Sequence, residues 1–87
     1  MTPKERGTVM NSIIRARAMR LGITLQDALK EAGIPPASYA SRRNHGRITF
    51  EDINRLNRTL YFTDADFVAL GRAAVGNPIK PNEEAGK

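Results

Sequence analysis

The densest group of chemically capable side chains is Arg42-Arg43-Asn44-His45-Gly46-Arg47. Between Ile34 and Phe50 the chain carries Arg42, Arg43, Arg47 and His45 and no acidic residue, which predicts a local positive patch able to attract a polyanion. The whole chain leans the same way, with 14 Lys plus Arg against 9 Asp plus Glu and a sequence pI near 10.2. Bond-making chemistry has no comparable foothold. There is no glycine-rich phosphate loop, no paired-histidine metal motif and no serine, histidine and acid set at recognisable spacing. With no cysteine and a single histidine, His45, a metal site is not expected, nor is a cysteine nucleophile. Asp64 and Asp66 read as helix-start charges favoured by the helix dipole, not as a catalytic pair. Asn57-Arg58-Thr59 fits a glycosylation pattern but falls inside a predicted helix and is discounted. No catalytic residue, cofactor or small-molecule substrate is therefore expected.

Length sets the frame for any site. At 87 residues the chain has room for one domain of residues 1–75 and a flexible tail of residues 76–87, given roughly 100 to 200 residues per domain. The tail contains Pro78 and Pro81 and almost nothing to bury. No run approaches the roughly 18 apolar residues that would span a bilayer. Asn11, Arg15, Arg17 and Arg20 break the first apolar segment, so it reads as a helix and not as a secretory signal. A cytoplasmic protein is the expectation.

Five helices would have to position the basic segment, with no strand, repeat or heptad series beside them. Thr2-Pro3-Lys4-Glu5 has the form of a capping box with proline at the first helical position, and the firm part of the first helix starts near Val9. Its apolar members are Val9 or Met10, Ile13, Ile14, Ala18 and Leu21, with Met10 and Met19 as core filler and Gly22 as the stop. Thr24 caps a second, amphipathic helix in which Leu25, Ala28, Leu29 and Ala32 recur at i, i+3, i+4 and i+7. Gly33 is placed to end it through positive φ. Ile34 is biased to extended backbone by the following proline, and Pro36 can open a third helix that runs to about Asn44, with Gly46 as its stop. Thr49 caps a fourth helix, Phe50 to Leu60, with Phe50, Ile53, Leu56 and Leu60 as the buried stripe and Arg55 and Arg58 solvated. Thr63 or Asp64 caps a fifth, whose apolar members are Phe67, Val68 and Leu70.

At about 100° per residue the third helix shows Pro36, Ala37, Ala40, Ser41 and Asn44 on one face and Ser38, Tyr39 and Arg42 on the other. Tyr39 is thus expected to pack inward, and Arg42 to lay its stem on the supporting side and snorkel outward. Arg15, Arg17, Arg20, Arg55 and Arg58 are read as solvating helix faces. Arg43 and Arg47 flank the small-residue face in the acid-free segment and are better placed to meet phosphate.

The stretch Leu21-Gly22-Ile23-Thr24-Leu25-Gln26-Asp27-Ala28-Leu29-Lys30-Glu31-Ala32-Gly33-Ile34, then Ser38-Tyr39 and Arg42-Arg43-Asn44-His45-Gly46, resembles the lambda-repressor-like family of helix-turn-helix regulators, which includes phage repressors, Cro proteins and Xre-type regulators. The resemblance covers about Ile13 to Gly71. It implies an all-α, compact five-helix lambda-repressor-like helix-turn-helix domain. It also implies base reading from Pro36, Ala37 and Ser41, to which the helical wheel adds Ala40 and Asn44, and phosphate contacts from Ser38, Asn44 and Arg47. Thr24, Gln26, Arg43 and His45 complete the expected phosphate-contacting set. Family members usually carry glutamine, arginine or asparagine at the base-reading positions, a small residue where Leu29 sits and an apolar one at Arg42; this chain departs at all three.

Two expectations follow. One is a sequence-selective transcription regulator of phage or prophage type, binding double-stranded DNA as a homodimer on a palindromic operator. The other is a protein-binding adaptor, antirepressor or antitoxin-like, that uses the small, nearly uncharged face of the third helix against a protein.

Overall fold

A computed structural model describes residues 2–75, so the expected tail at 76–87 lies outside the described residues. Five helices in chain order, α1 (Pro3–Arg20), α2 (Leu25–Ala32), α3 (Pro36–Asn44), α4 (Phe50–Leu60) and α5 (Asp64–Ala74), make the protein all-helical, with no strand among the described residues. None is long and apolar enough to cross a membrane.

The helix starts follow from local chemistry. Thr2, Thr49 and Thr63 each accept from the backbone N–H three residues on, while Glu5, Asp52 and Asp66 reach back to the cap N–H, forming three capping boxes. Thr24 caps α2 by accepting from Asp27 N at 3.0 Å. Each cap contributes about 1 kcal/mol. The α2–α3 turn depends on Gly33, whose φ of 72° and ψ of 26° put it in the left-handed region. The next N–H, from Ile34, then donates back to Leu29 O at 2.9 Å, and the Ile34 side chain drops into the core. Pro35 and Pro36 stand at the N-cap and first position of α3, where no intrahelical N–H is required.

Met10, Ile14, Ile34, Leu56, Leu60 and Leu70 are fully buried, each contributing roughly 1.5 to 3 kcal/mol of transfer free energy. α1 runs through this core against both α3 and α5, and α2 packs on α4. The α1–α3 crossing is close: a Cβ built on Gly7 would overlap the Arg43 carbonyl oxygen. Only glycine lets the two backbones touch there.

Several expectations are corrected. Phe50 is 77% exposed, although the stripe of α4 placed it inside. It is the first residue of the helix, and side chains tilt toward the N-terminus, so its ring points past the end of the core, while Ile48 just before the helix is buried. Met19 is 75% exposed and Leu21 is exposed as well, because the buried stripe of α1 runs Gly7, Met10, Asn11, Ile14, Ala18 and leaves both outside it. Phe67 and Val68 are exposed on α5, where Leu70 and Ala73 make the contact with the core. Phe67 keeps an edge-on contact with buried Phe62, their ring centroids 5.8 Å apart. Arg17 does not merely solvate its helix: it donates to Leu60 O at 2.8 Å and Tyr61 O at 2.9 Å, closing the C-terminus of α4. Arg42 does not snorkel free, being ion-paired with Asp52.

Candidate nucleic-acid interface

α3 is held from its inner side by three polar anchors. Tyr39, 2% exposed, donates its hydroxyl to Asn11 Oδ1 of α1 at 2.8 Å, so a residue that looked like a polar interruption of α1 is half of a buried hydrogen bond. Burial pushes the Tyr39 hydroxyl well above its ordinary range, which keeps it a neutral donor. Arg42 reaches across to Asp52, and Asp52 simultaneously accepts from the Thr49 N–H at 3.0 Å. That pair ties the end of α3 to the start of α4, at the position where the family resemblance implied an apolar residue. Arg6 donates through Nε and Nη2 to Gly46 O at 3.3 and 3.2 Å, fixing the loop after α3 against α1. No buried side-chain nitrogen or oxygen among the described residues lacks a hydrogen-bond partner.

The outer side is open. Pro36, Ala37, Ser41 and Asn44 are exposed, and Ala40 and Ser38 are half-buried. Thr24 and Gln26, at the start of α2, and Arg47, beyond α3, are exposed too, while Arg43 is half-buried. His45, which is exposed, caps α3 and donates its Nδ1–H to Ser41 O at 2.8 Å. Among the described residues Arg43 and Arg47 make no ion pair and no side-chain hydrogen bond.

These residues divide into two groups. Thr24, Gln26, Pro36, Ala40 and Arg43 line one cleft of about 490 Å³, where α1, α2 and α3 meet. Ala37, Ser38, Ser41, Asn44, His45 and Arg47 lie outside it, along the rest of α3 and its following loop. The cleft adds residues that sequence reasoning missed: Arg15 and Met19 of α1, with Ile23 and Leu25 beside the α2 cap. Arg15 and Met19 stand four apart, on one side of the Ile14–Ala18 stripe. That spacing was visible, but which flank of α1 meets α2 depends on the crossing set by Gly7.

Chemically, the surface offers cationic donors around a strip of small side chains. It can hold a backbone of phosphates and lets that strip approach a flat or grooved partner closely. Among the described residues no group of three or more His, Cys, Asp or Glu could hold a metal ion. No protein-family model matches this sequence, no curated protein matches it, and no solved structure matches it.

Proposed function

We propose that the chain is a sequence-selective DNA-binding transcription regulator of phage or prophage repressor or Cro type, in which α2, the Gly33 turn and α3 act as a helix-turn-helix. The observation that carries this is the two-sidedness of α3. Its inner face is pinned by Tyr39 and Arg42, while Pro36, Ala37, Ser41 and Asn44 stand open beside Arg43 and Arg47, neither of which has a carboxylate partner among the described residues. An α-helix fits the major groove, about 12 Å wide, and small side chains let it sit deep. Ala37 and Ala40 then touch thymine methyls, Ser41 and Asn44 hydrogen-bond to base edges, and DNA shape contributes further selectivity.

The protein works as a homodimer in the cytoplasm, on a palindromic operator whose half-sites are about 34 Å apart. The surface that supports a second copy lies on α4 and α5. Phe50 borders a groove lined by Ile53, Phe67, Leu70 and Gly71 and a second hollow lined by Met10, Ile48, Ala74 and Val75. Residues 49–75 hold four acidic and three basic side chains, a net charge near zero, so two copies of this face meet with little repulsion.

Fluorescence anisotropy on duplexes selected from a random pool tests the regulator reading. Each phosphate neutralised adds about 0.9 to the slope of log K against log salt. A flat salt response, or no binding to any duplex at low salt, overturns it.

The small, nearly uncharged strip Pro36, Ala37, Ala40, Ser41 favours a second reading, a protein-binding adaptor on the same scaffold. Reversing the charge of Arg43 and Arg47 separates them: DNA binding is abolished under the first, and partner binding is nearly intact under the second.

A further inference from the structure

The arginines of the α1–α3 region fall into two kinds. Arg6 is spent on Gly46 O, Arg17 on the C-terminus of α4, and Arg42 on Asp52. Arg15 and Arg43 are not spent: neither makes an ion pair or a side-chain hydrogen bond among the described residues, yet both line the same concave cleft. Arg20, Arg47 and Arg58 also lack a partner among the described residues, but none of them lines that cleft.

No carboxylate is present in the cleft to neutralise the pair. Tyr39 also lines the cleft, and Arg43, Asp52 and Arg15 all act on its hydroxyl. Burial holds that hydroxyl neutral, and it already donates to Asn11. Two guanidinium groups brought into one hollow, one of them half-buried, repel unless an anion sits between them. Of the other lining groups, Thr24 and Gln26 can donate to an anion, and Met19, Ile23 and Leu25 add no negative charge. The cleft also shares Pro36 and Ala40 with the small-residue strip of α3, so whatever fills it lies at the flank of that strip. When a helix occupies the major groove, its flank is where the sugar–phosphate backbone passes.

Building on the regulator reading, we infer that α1 belongs to the gripping surface: Arg15 and Arg43 hold one phosphodiester of the DNA backbone between them in the α1–α2–α3 cleft. Arg15 thereby contributes affinity without sequence preference, and the DNA footprint extends beyond α2 and α3 onto a helix that a helix-turn-helix account leaves as support.

The test combines variants with observation of the unmodified protein. Against a duplex selected by the wild type, Arg15→Gln lowers the salt slope by about 0.9 and weakens binding equally for related duplexes. A fresh selection with Arg15→Gln returns the same sequence. Arg15→Lys keeps the wild-type slope, and so does Arg20→Gln, which removes a charge from α1 outside the cleft. In the wild-type protein, the Nε–H resonances of Arg15 and Arg43 both shift on adding duplex. An unchanged slope for Arg15→Gln beside a steep wild-type slope overturns the clamp and leaves the regulator reading standing. So do arginine resonances that saturate with inorganic phosphate and ignore duplex, because the cleft is then a free-anion site. Failure of the wild type to bind any duplex removes both.

Discussion

The region of α1 to α3, residues 2–48, and that of α4 and α5, residues 49–75, are built on opposite plans. The first carries nine basic residues against three acidic ones, the second three against four. In the first, two backbones touch at Gly7 and Arg43, a tyrosine is buried on an asparagine, and two arginines converge on an open cleft. In the second, helices begin on symmetrical threonine and aspartate boxes, Glu51 and Arg55 pair on the surface, and Phe50, Tyr61, Phe67, Val68 and Val75 are exposed. Uncompensated charge is therefore concentrated in the first region and uncovered apolar surface in the second, with Met19 and Leu21 on one side and Arg58 on the other as the exceptions. A polyanion and an apolar partner can each be met without one interfering with the other, and the Arg42–Asp52 pair is the joint between the two regions.

The largest effect comes from one methyl group added to each region. Gly7→Ala places a Cβ onto the Arg43 carbonyl, backbone against backbone, so α1 and α3 have to part. Overpacking of this kind costs about 3 kcal/mol or more, a large share of the roughly 3 to 5 kcal/mol expected of a domain this small. Gly71→Ala, inside α5, meets nothing within 4 Å and gains about 0.5 to 1 kcal/mol of helix propensity. Thermal unfolding followed by circular dichroism should move in opposite directions for the two; a Gly7→Ala protein as stable as the parent contradicts the crossing.

How much of this was legible in the sequence also differs by region. The Thr24, Thr49 and Thr63 caps, the Gly33 stop and the span Pro36 to Asn44 could all be read from single residues, because capping and positive φ are local chemistry. Tyr39 could be placed inward because a nine-residue helix has one clear wheel. Phe50 was misplaced because periodicity does not say where the core ends. Ile48 and Phe62 are buried from loops, where no period exists to reveal them. The face of α3 was visible, but the cleft was not: Arg15, Thr24 and Arg43 come together only through the α1–α3 crossing, and that depends on the glycine at position 7, whose contact with Arg43 no helical period reveals.

Next in size is the joint. Asp52 is 2% exposed, and removing its partner by Arg42→Met leaves a carboxylate in a low-dielectric setting with only its cap bonds. Allowing for the partial exposure of Arg42, a loss of about 1 to 3 kcal/mol is expected. Arg55→Ala breaks the exposed i,i+4 pair with Glu51 and should cost no more than about 0.5 kcal/mol. Chemical denaturation of both variants measures the contrast, and equal losses would mean that the Asp52 pair is no more buried in effect than the surface one.

Alkaline pH probes the basic region through Tyr39. Its hydroxyl titrates higher when folded than its ordinary value of 10.0, chiefly through burial. The unfolded chain therefore gives up that proton first. The stability this group contributes is fully present below pH 10 and is lost as pH rises through the folded value, at up to about 1.4 kcal/mol per pH unit. Tyr39→Phe is less stable at neutral pH, since Asn11 loses its donor, yet should lack this alkaline decline. Denaturation midpoints between pH 8 and 11 decide it; parallel curves for the two proteins would show that Tyr39 is not shielded as described.

The smallest effect on folding is expected at the residue with the largest exposed ring. Phe50→Ser changes a side chain that lies outside the core at the first position of α4, so stability should stay within about 0.5 kcal/mol of the parent. Association is where the change should register, because Phe50 borders both hollows on the α4–α5 side. If that side joins two copies, sedimentation of Phe50→Ser shifts toward monomer while each monomer's salt-dependent affinity for a single half-site is retained. A variant that stays as dimeric as the parent moves the self-association surface elsewhere. One that also loses half-site binding breaks the separation of the two regions.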